Sequence, residues 1–97
     1  MISDENFLRL FNAAMALAKP VGKPTINAEE IDVRFENLDV DSLDLLIIGM
    51  YLCDAFNVPE AVGKEMKPET VREMKDFLVN NTPMTSFDVE AALMVVV

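Results

Sequence analysis

Asp41-Ser42-Leu43-Asp44 is the stretch of this 97-residue chain whose residue types and spacing best suit chemistry. A serine hydroxyl between two carboxylates has three uses: to attack a substrate, to cap a helix, or to be esterified by another protein. Attack needs a base to take the hydroxyl proton, and the chain contains no histidine. Its lone cysteine, Cys53, falls inside an apolar run. No ligand cluster or phosphate-binding loop accompanies the serine, so a non-catalytic protein is expected. Ser42 reads as a handle to be modified by another protein, not as a nucleophile.

The handle needs an element to display it. From Leu45 onward, apolar residues recur at Leu45, Ile48, Leu52 and Phe56, which puts them on one face of a helix. Asp41 or Ser42 stands where the N-cap is expected, because a short side-chain oxygen there accepts from the free N–H groups of the first turn. A phosphodiester at such a helix start would be favoured by those donors and by the helix dipole, worth about 0.3–1 kcal/mol. Asp41 and Asp44 oppose an unassisted anion, but they suit a divalent metal or a basic enzyme surface that delivers it. Leu43, Ile47, Met50 and Asp54 lie opposite the core stripe, where a small soluble domain normally places polar residues. That face is expected to meet a partner, with Met50 alternatively filling a gap in the core.

Phe35-Glu36-Asn37-Leu38-Asp39-Val40-Asp41-Ser42-Leu43-Asp44 resembles the Phe-x-Asp-Leu-Gly-x-Asp-Ser-Leu-Asp segment of acyl carrier proteins. The wider order of segments is also similar over residues 3 to 79. An amphipathic stretch comes first, then the apolar helix ending in Phe56, then Val58-Pro59, and then Thr70-Val71 opening a last amphipathic stretch. The resemblance implies that Ser42 receives 4′-phosphopantetheine from coenzyme A through a phosphopantetheinyl transferase. An acyl group would then ride as a thioester on the arm's thiol. It also implies partners that load, condense or transfer the acyl group through basic and apolar docking surfaces. Asp39 stands where the family usually has glycine, and Ile47 and Cys53 occupy commonly acidic places. This greasier helix favours a dedicated pathway, polyketide, fatty-acid-like or otherwise secondary, over general fatty-acid synthesis. An unmodified carrier-like adaptor, in which Ser42 is only a helix cap, is the alternative.

Composition narrows the partners. The formal charge of −9 and pI near 4.2 argue against nucleic acid, whose phosphates need basic patches to displace their counterions. Glu36, Asp39, Asp41, Asp44, Asp54 and Glu60 centre the acidity on the serine helix, and no lysine or arginine falls between Arg34 and Lys64. That field would steer a basic partner. Asp39, Asp41 and Asp44 lack the loop glycine and terminal glutamate of an EF-hand, so no metal is expected there. One cysteine excludes an internal disulfide framework and fits a reducing compartment. Cys53 is expected to be a small, partly buried hydrophobe. Acids near the N-terminus do not match a secretory signal, and no apolar run reaches the roughly 20 residues of a membrane span. A cytoplasmic monomer is expected.

The remaining segments predict an all-α bundle of three main helices and one short one in residues 1–80, followed by an extension over 81–97. Ser3-Asp4-Glu5 starts a helix over Asp4 to Ala18, with Phe7, Phe11, Ala14, Met15 and Ala18 as its stripe. Pro20, Gly22 and Pro24 end that pattern. In the long connection that follows, Ile31, Val33, Phe35 and Leu38 are spaced too irregularly for a long element but can plug the core between helices. Glu60 to Met66 allows a short helix, weakened by Gly63. Thr70-Val71-Arg72-Glu73 has capping-box spacing and opens a stripe of Val71, Met74, Phe77 and Leu78, although Pro68 offers a competing first turn. Phe11, Leu52 and Phe77 are core candidates. Thr85-Ser86-Phe87-Asp88 could cap a short helix through Leu93 and Met94, and this apolar tail is expected to fold back onto the core, to dock to a partner or to self-associate. Gly49 and Ala55 leave open whether the core encloses an acyl chain.

Overall fold

A computed structural model describes residues 2–18, 28–38, 40–83, 90 and 94. Among them four helices make an all-α bundle: α1 (Asp4–Ala18), α2 (Ser42–Phe56), α3 (Glu60–Gly63) and α4 (Val71–Asn81). No strand occurs among the described residues, only an isolated antiparallel bridge between Arg34 and Thr70.

α1 starts where the polar residues dictate. Ser3 Oγ accepts from the Asn6 N–H at 3.2 Å, and Asp4 and Glu5 lie in the positive first turn. Phe7, Leu10, Phe11, Ala14 and Met15 are buried, so Leu10 joins the expected stripe and Ala18 is only half-buried. α2 buries Ile48, Leu52 and Phe56 against α1, while Leu45, expected in the same stripe, is half-buried. α2 ends at Asn57, whose left-handed backbone (φ 55°) is tolerated because a short amide side chain accepts that conformation. The Val58 N–H then bonds Cys53 O at 2.9 Å and closes the terminus.

α3 is shorter than expected, ending at Gly63 rather than Met66. The chain tightens into a turn, with Met66 N–H bonding Gly63 O at 3.1 Å, and Pro68 turns Lys67 away from helical geometry. At α4 Thr70 is the N-cap, with Glu73 N–H donating to Thr70 Oγ1 at 3.1 Å. The reciprocal contact comes one residue early: Glu73 accepts from the Glu69 N–H at 2.7 Å. Pro68 therefore precedes the helix. Val71, Met74 and Leu78 are buried, but Phe77 is half-buried and not a core residue. At four helical steps of 100°, Leu78 completes the stripe with Met74, which rotates Phe77 to its edge.

The long connection is tied down at its described end. Asn12 bonds both backbone groups of Ala28, at 2.7 and 3.0 Å. Phe35 N–H bonds Glu69 O at 3.0 Å, and Val71 and Arg72 N–H bond Val33 and Ile31 O at 3.2 and 2.7 Å. Ile31, Phe35 and Leu38 are buried as plugs, and Phe35 begins a single 3₁₀ turn. Its ring stacks on Phe11 at 5.6 Å, while Phe7 meets Phe56 at 6.1 Å in a tilted pair, geometries that suit the aromatic quadrupole. Asp4 accepts from Lys75 at 2.6 Å and lies 3.5 Å from Arg72, which also grips Asp32. Of the tail, Glu90 and Met94 are helical, and Glu90 pairs with Arg9 on α1 at 3.2 Å. The expected cap at Thr85 to Asp88 lies outside the described residues.

Candidate functional site

The first turn of α2 assigns its cap to Asp41. Asp44 N–H donates to Asp41 Oδ1 at 2.8 Å, and Asp41 N–H donates to Asp44 Oδ2 at 3.3 Å, a complete capping box. Ser42 is then the first residue inside the helix, and it is exposed. The two uses of a serine at this position separate here: the cap is already made by its neighbour. Asp41 and Asp44 spend oxygens on the backbone, and no group of three metal-ligating side chains occurs among the described residues. Asp39 lies outside them.

Two faces of α2 look outward. Leu43, Met50 and Asp54 are exposed as the helical period predicts, Leu43 at 62% and Met50 at 60%. Met50 is therefore not a core filler. Ile47 is half-buried, at the edge of this face rather than its centre. Leu46, which the core-against-surface division passed over, is 58% exposed and completes a row at 43, 46 and 50. Its signal was available: spacings of three and four from Leu43 and to Met50 put all three side chains together.

The second face borders an apolar cavity of about 450 Å³ between α2 and the chain from Val58 to Met74. Ser42, Leu45, Leu46, Gly49, Met50 and Cys53 line it from α2, so Ser42 and Cys53, eleven residues and three turns apart, look into the same space. Val58, Gly63, Met66, Pro68 and Met74 form the opposite wall, with Asp54, Glu60, Lys64 and Lys67 around the rim. The wall stands close because of two glycines. A Cβ on Gly63 would lie 2.8 Å from Cys53 Sγ, and one on Gly49 would lie 3.3 Å from Met66 Cε. Gly49 therefore shapes the cavity, whereas Ala55 is buried and takes no part in its lining. Sequence patterning does not reveal such a space, because it depends on how α3 is seated.

The electrostatics divide likewise. Arg34 bridges Glu36 and Glu69 at 3.0 and 3.2 Å, and Lys64 lies 3.6 Å from Glu60. These pairs offset charge at the margins and leave the acidic density at Asp41, Asp44 and Asp54 around the serine helix. Burial, and secondarily Asp54, pushes the Cys53 thiol up from its ordinary pKa, so it stays protonated at neutral pH and behaves as an apolar wall group.

No family model, curated protein or solved structure matches the chain. No helix among the described residues is long and apolar enough to cross a membrane.

Proposed function

We propose that the protein is an acyl carrier whose Ser42 is esterified by 4′-phosphopantetheine, in a dedicated biosynthetic pathway. The observation that carries this reading is an exposed serine at the first position of α2, its capping duty taken by Asp41, at the edge of an apolar cavity. An attached arm would supply a terminal thiol on which an acyl group travels as a thioester.

The chain's own residues have separable tasks in this reading. The first-turn N–H groups and the helix dipole favour a phosphodiester at Ser42. Asp41, Asp44 and Asp54 steer basic surfaces, and Leu43, Leu46 and Met50 supply short-range apolar contact, with Ile47 at its edge. The partners are a phosphopantetheinyl transferase and enzymes that load, condense or transfer acyl groups. The protein acts as a cytoplasmic monomer and performs no catalysis itself. Tethering raises the local concentration of the intermediate for those partners.

The test is the intact mass of the wild type and of Ser42→Ala after incubation with coenzyme A, magnesium and a broad-specificity phosphopantetheinyl transferase. Addition of one phosphopantetheine to the wild type alone is expected. No addition with several such transferases overturns the carrier reading. The exposed row at Leu43, Leu46 and Met50 would then favour an unmodified adaptor.

A further inference from the structure

Sulfur is concentrated in one place. The only cysteine, Cys53, and three of the chain's seven methionines, Met50, Met66 and Met74, line the cavity beside α2. Cys53 is 7% exposed, and its thiol enters no hydrogen bond among the described residues. Met50 and Cys53 stand three residues apart on α2, so their side chains share a face, with Cβ atoms about 5–6 Å apart. Met66 reaches the same part of the helix from the opposite wall. Its Cε lies 3.3 Å from where a Cβ on Gly49 would stand, and Gly49 is one turn before Cys53. Met66 N–H also bonds Gly63 O at 3.1 Å, and Gly63 is the residue pressed against Cys53 Sγ. Met74, 1% exposed, borders the cavity from α4. Core packing alone does not account for the set, since Met50 is 60% exposed.

We propose that this cavity binds one soft monovalent metal ion of the Cu(I) class, through the Cys53 sulfur and the thioethers of Met50 and Met66, with Met74 beside them. Thiolate and thioether donors select soft ions. No three side chains of the His, Cys, Asp and Glu types gather among the described residues, so zinc and harder ions lack the donor set they require. Charge decides the valence. The ion takes the place of the Cys53 proton: an S–metal bond forms, the S–H bond breaks, and the proton leaves to solvent. Thiolate and monovalent ion together are neutral and suit an apolar cavity. A divalent ion would leave a positive charge inside, with Asp54 and Glu60 only on the rim. Neither Ser42 nor an arm takes part, so the site stands or falls separately from the carrier reading.

The experiment is an anaerobic titration of the unmodified full chain with Cu(I) in competition with bathocuproine disulfonate, whose copper complex is coloured. One Cu(I) per chain and one proton released per ion are expected, with helical circular dichroism unchanged. Zn(II) at the same concentration should release no proton. Ser42→Ala should hold Cu(I) as the wild type does, and Cys53→Ala should lose it. Removing even an outer partner of a metal ligand costs about 10–100-fold in affinity, so Met50→Leu with Met66→Leu should weaken Cu(I) by about tenfold or more. Leucine conserves the volume of methionine, and Met50→Leu alone, at an exposed position, should show part of that loss where the double variant is destabilised. Undiminished affinity in both leucine variants reduces the site to a bare thiol and overturns the proposal. Retention of Zn(II) as tight as that of Cu(I), or loss of the helical signal as copper enters, also overturns it.

Discussion

Gly63 and Cys53 meet so closely that a methyl group on the glycine would stand 2.8 Å from the cysteine sulfur. The shortest helix of the bundle, α3, is seated on the apolar helix α2 through this contact, and the cavity beside Ser42 owes its far wall to it. Gly63→Ala should therefore destabilise the protein by about 1–3 kcal/mol or displace α3. Adding Cys53→Ala should recover part of that loss, because the clashing sulfur is gone. Urea unfolding of the two single variants and the double variant measures the coupling.

Assignment of the α2 cap to Asp41 separates two neighbouring residues. Asp41→Ala should cost about 0.5–2 kcal/mol of stability, because Asp44 N–H loses its 2.8 Å acceptor. Ser42→Ala, at an exposed position inside the helix, should change unfolding by less than about 0.5 kcal/mol. Denaturant midpoints at constant m-value check both.

Leu46 separates surface from core on the same helix. Leu46→Glu should leave the unfolding free energy within about 0.5 kcal/mol of wild type, because the side chain is 58% exposed. Ile47→Glu should cost more, since its side chain is half-buried. Under the proposed carrier function both should lower acyl transfer by a partner enzyme, and for Leu46→Glu that loss cannot be ascribed to unfolding.

Acid should loosen the junction of α1 and α4. The hydrogen bond from Lys75 holds the Asp4 carboxyl below its ordinary pKa, with the charges of Lys75 and Arg72 adding to it, and the hydrogen bond from Arg72 does the same for Asp32. Folding lowers both pKa values, so the unfolded chain binds more protons as pH falls. Their stabilisation is complete above the unfolded value of about 3.9 and is lost as pH drops through the folded values. Asp4→Asn should flatten the decline of thermal midpoint below about pH 4, read by circular dichroism across a pH series.

Two phenylalanines should respond differently. Phe56→Ala should cost about 3–5 kcal/mol, since Phe56 is fully buried against Phe7. Phe77→Ala should cost about 1–2 kcal/mol, in line with its half-burial. Comparable losses in urea unfolding would place Phe77 back in the core.

Local chemistry by itself determined the helices. Ser3 with Asp4 and Glu5, Asp41 with Asp44, and Thr70 with Glu73 mark three starts through short oxygen side chains and first-turn charge, and the 3.6-residue period gives the faces between them. The serine helix and its acidic surround were legible for the same reason, since period and polarity are properties of neighbouring residues, while the plugs at Ile31, Phe35 and Leu38 showed only as apolar side chains in a mostly polar connection. The choice between Asp41 and Ser42 as cap needed backbone geometry, since either side chain can reach the same N–H groups. Phe77 lies at the stripe's edge because Leu78, with Val71 and Met74, takes the buried positions of α4, a choice settled by packing between helices. Leu46 was legible from its spacing to Leu43 and Met50, whereas the cavity was decided by tertiary structure alone. Its character depends on where α3 rests, and that seat is fixed by Gly63 against Cys53, residues ten positions apart whose contact no local period encodes.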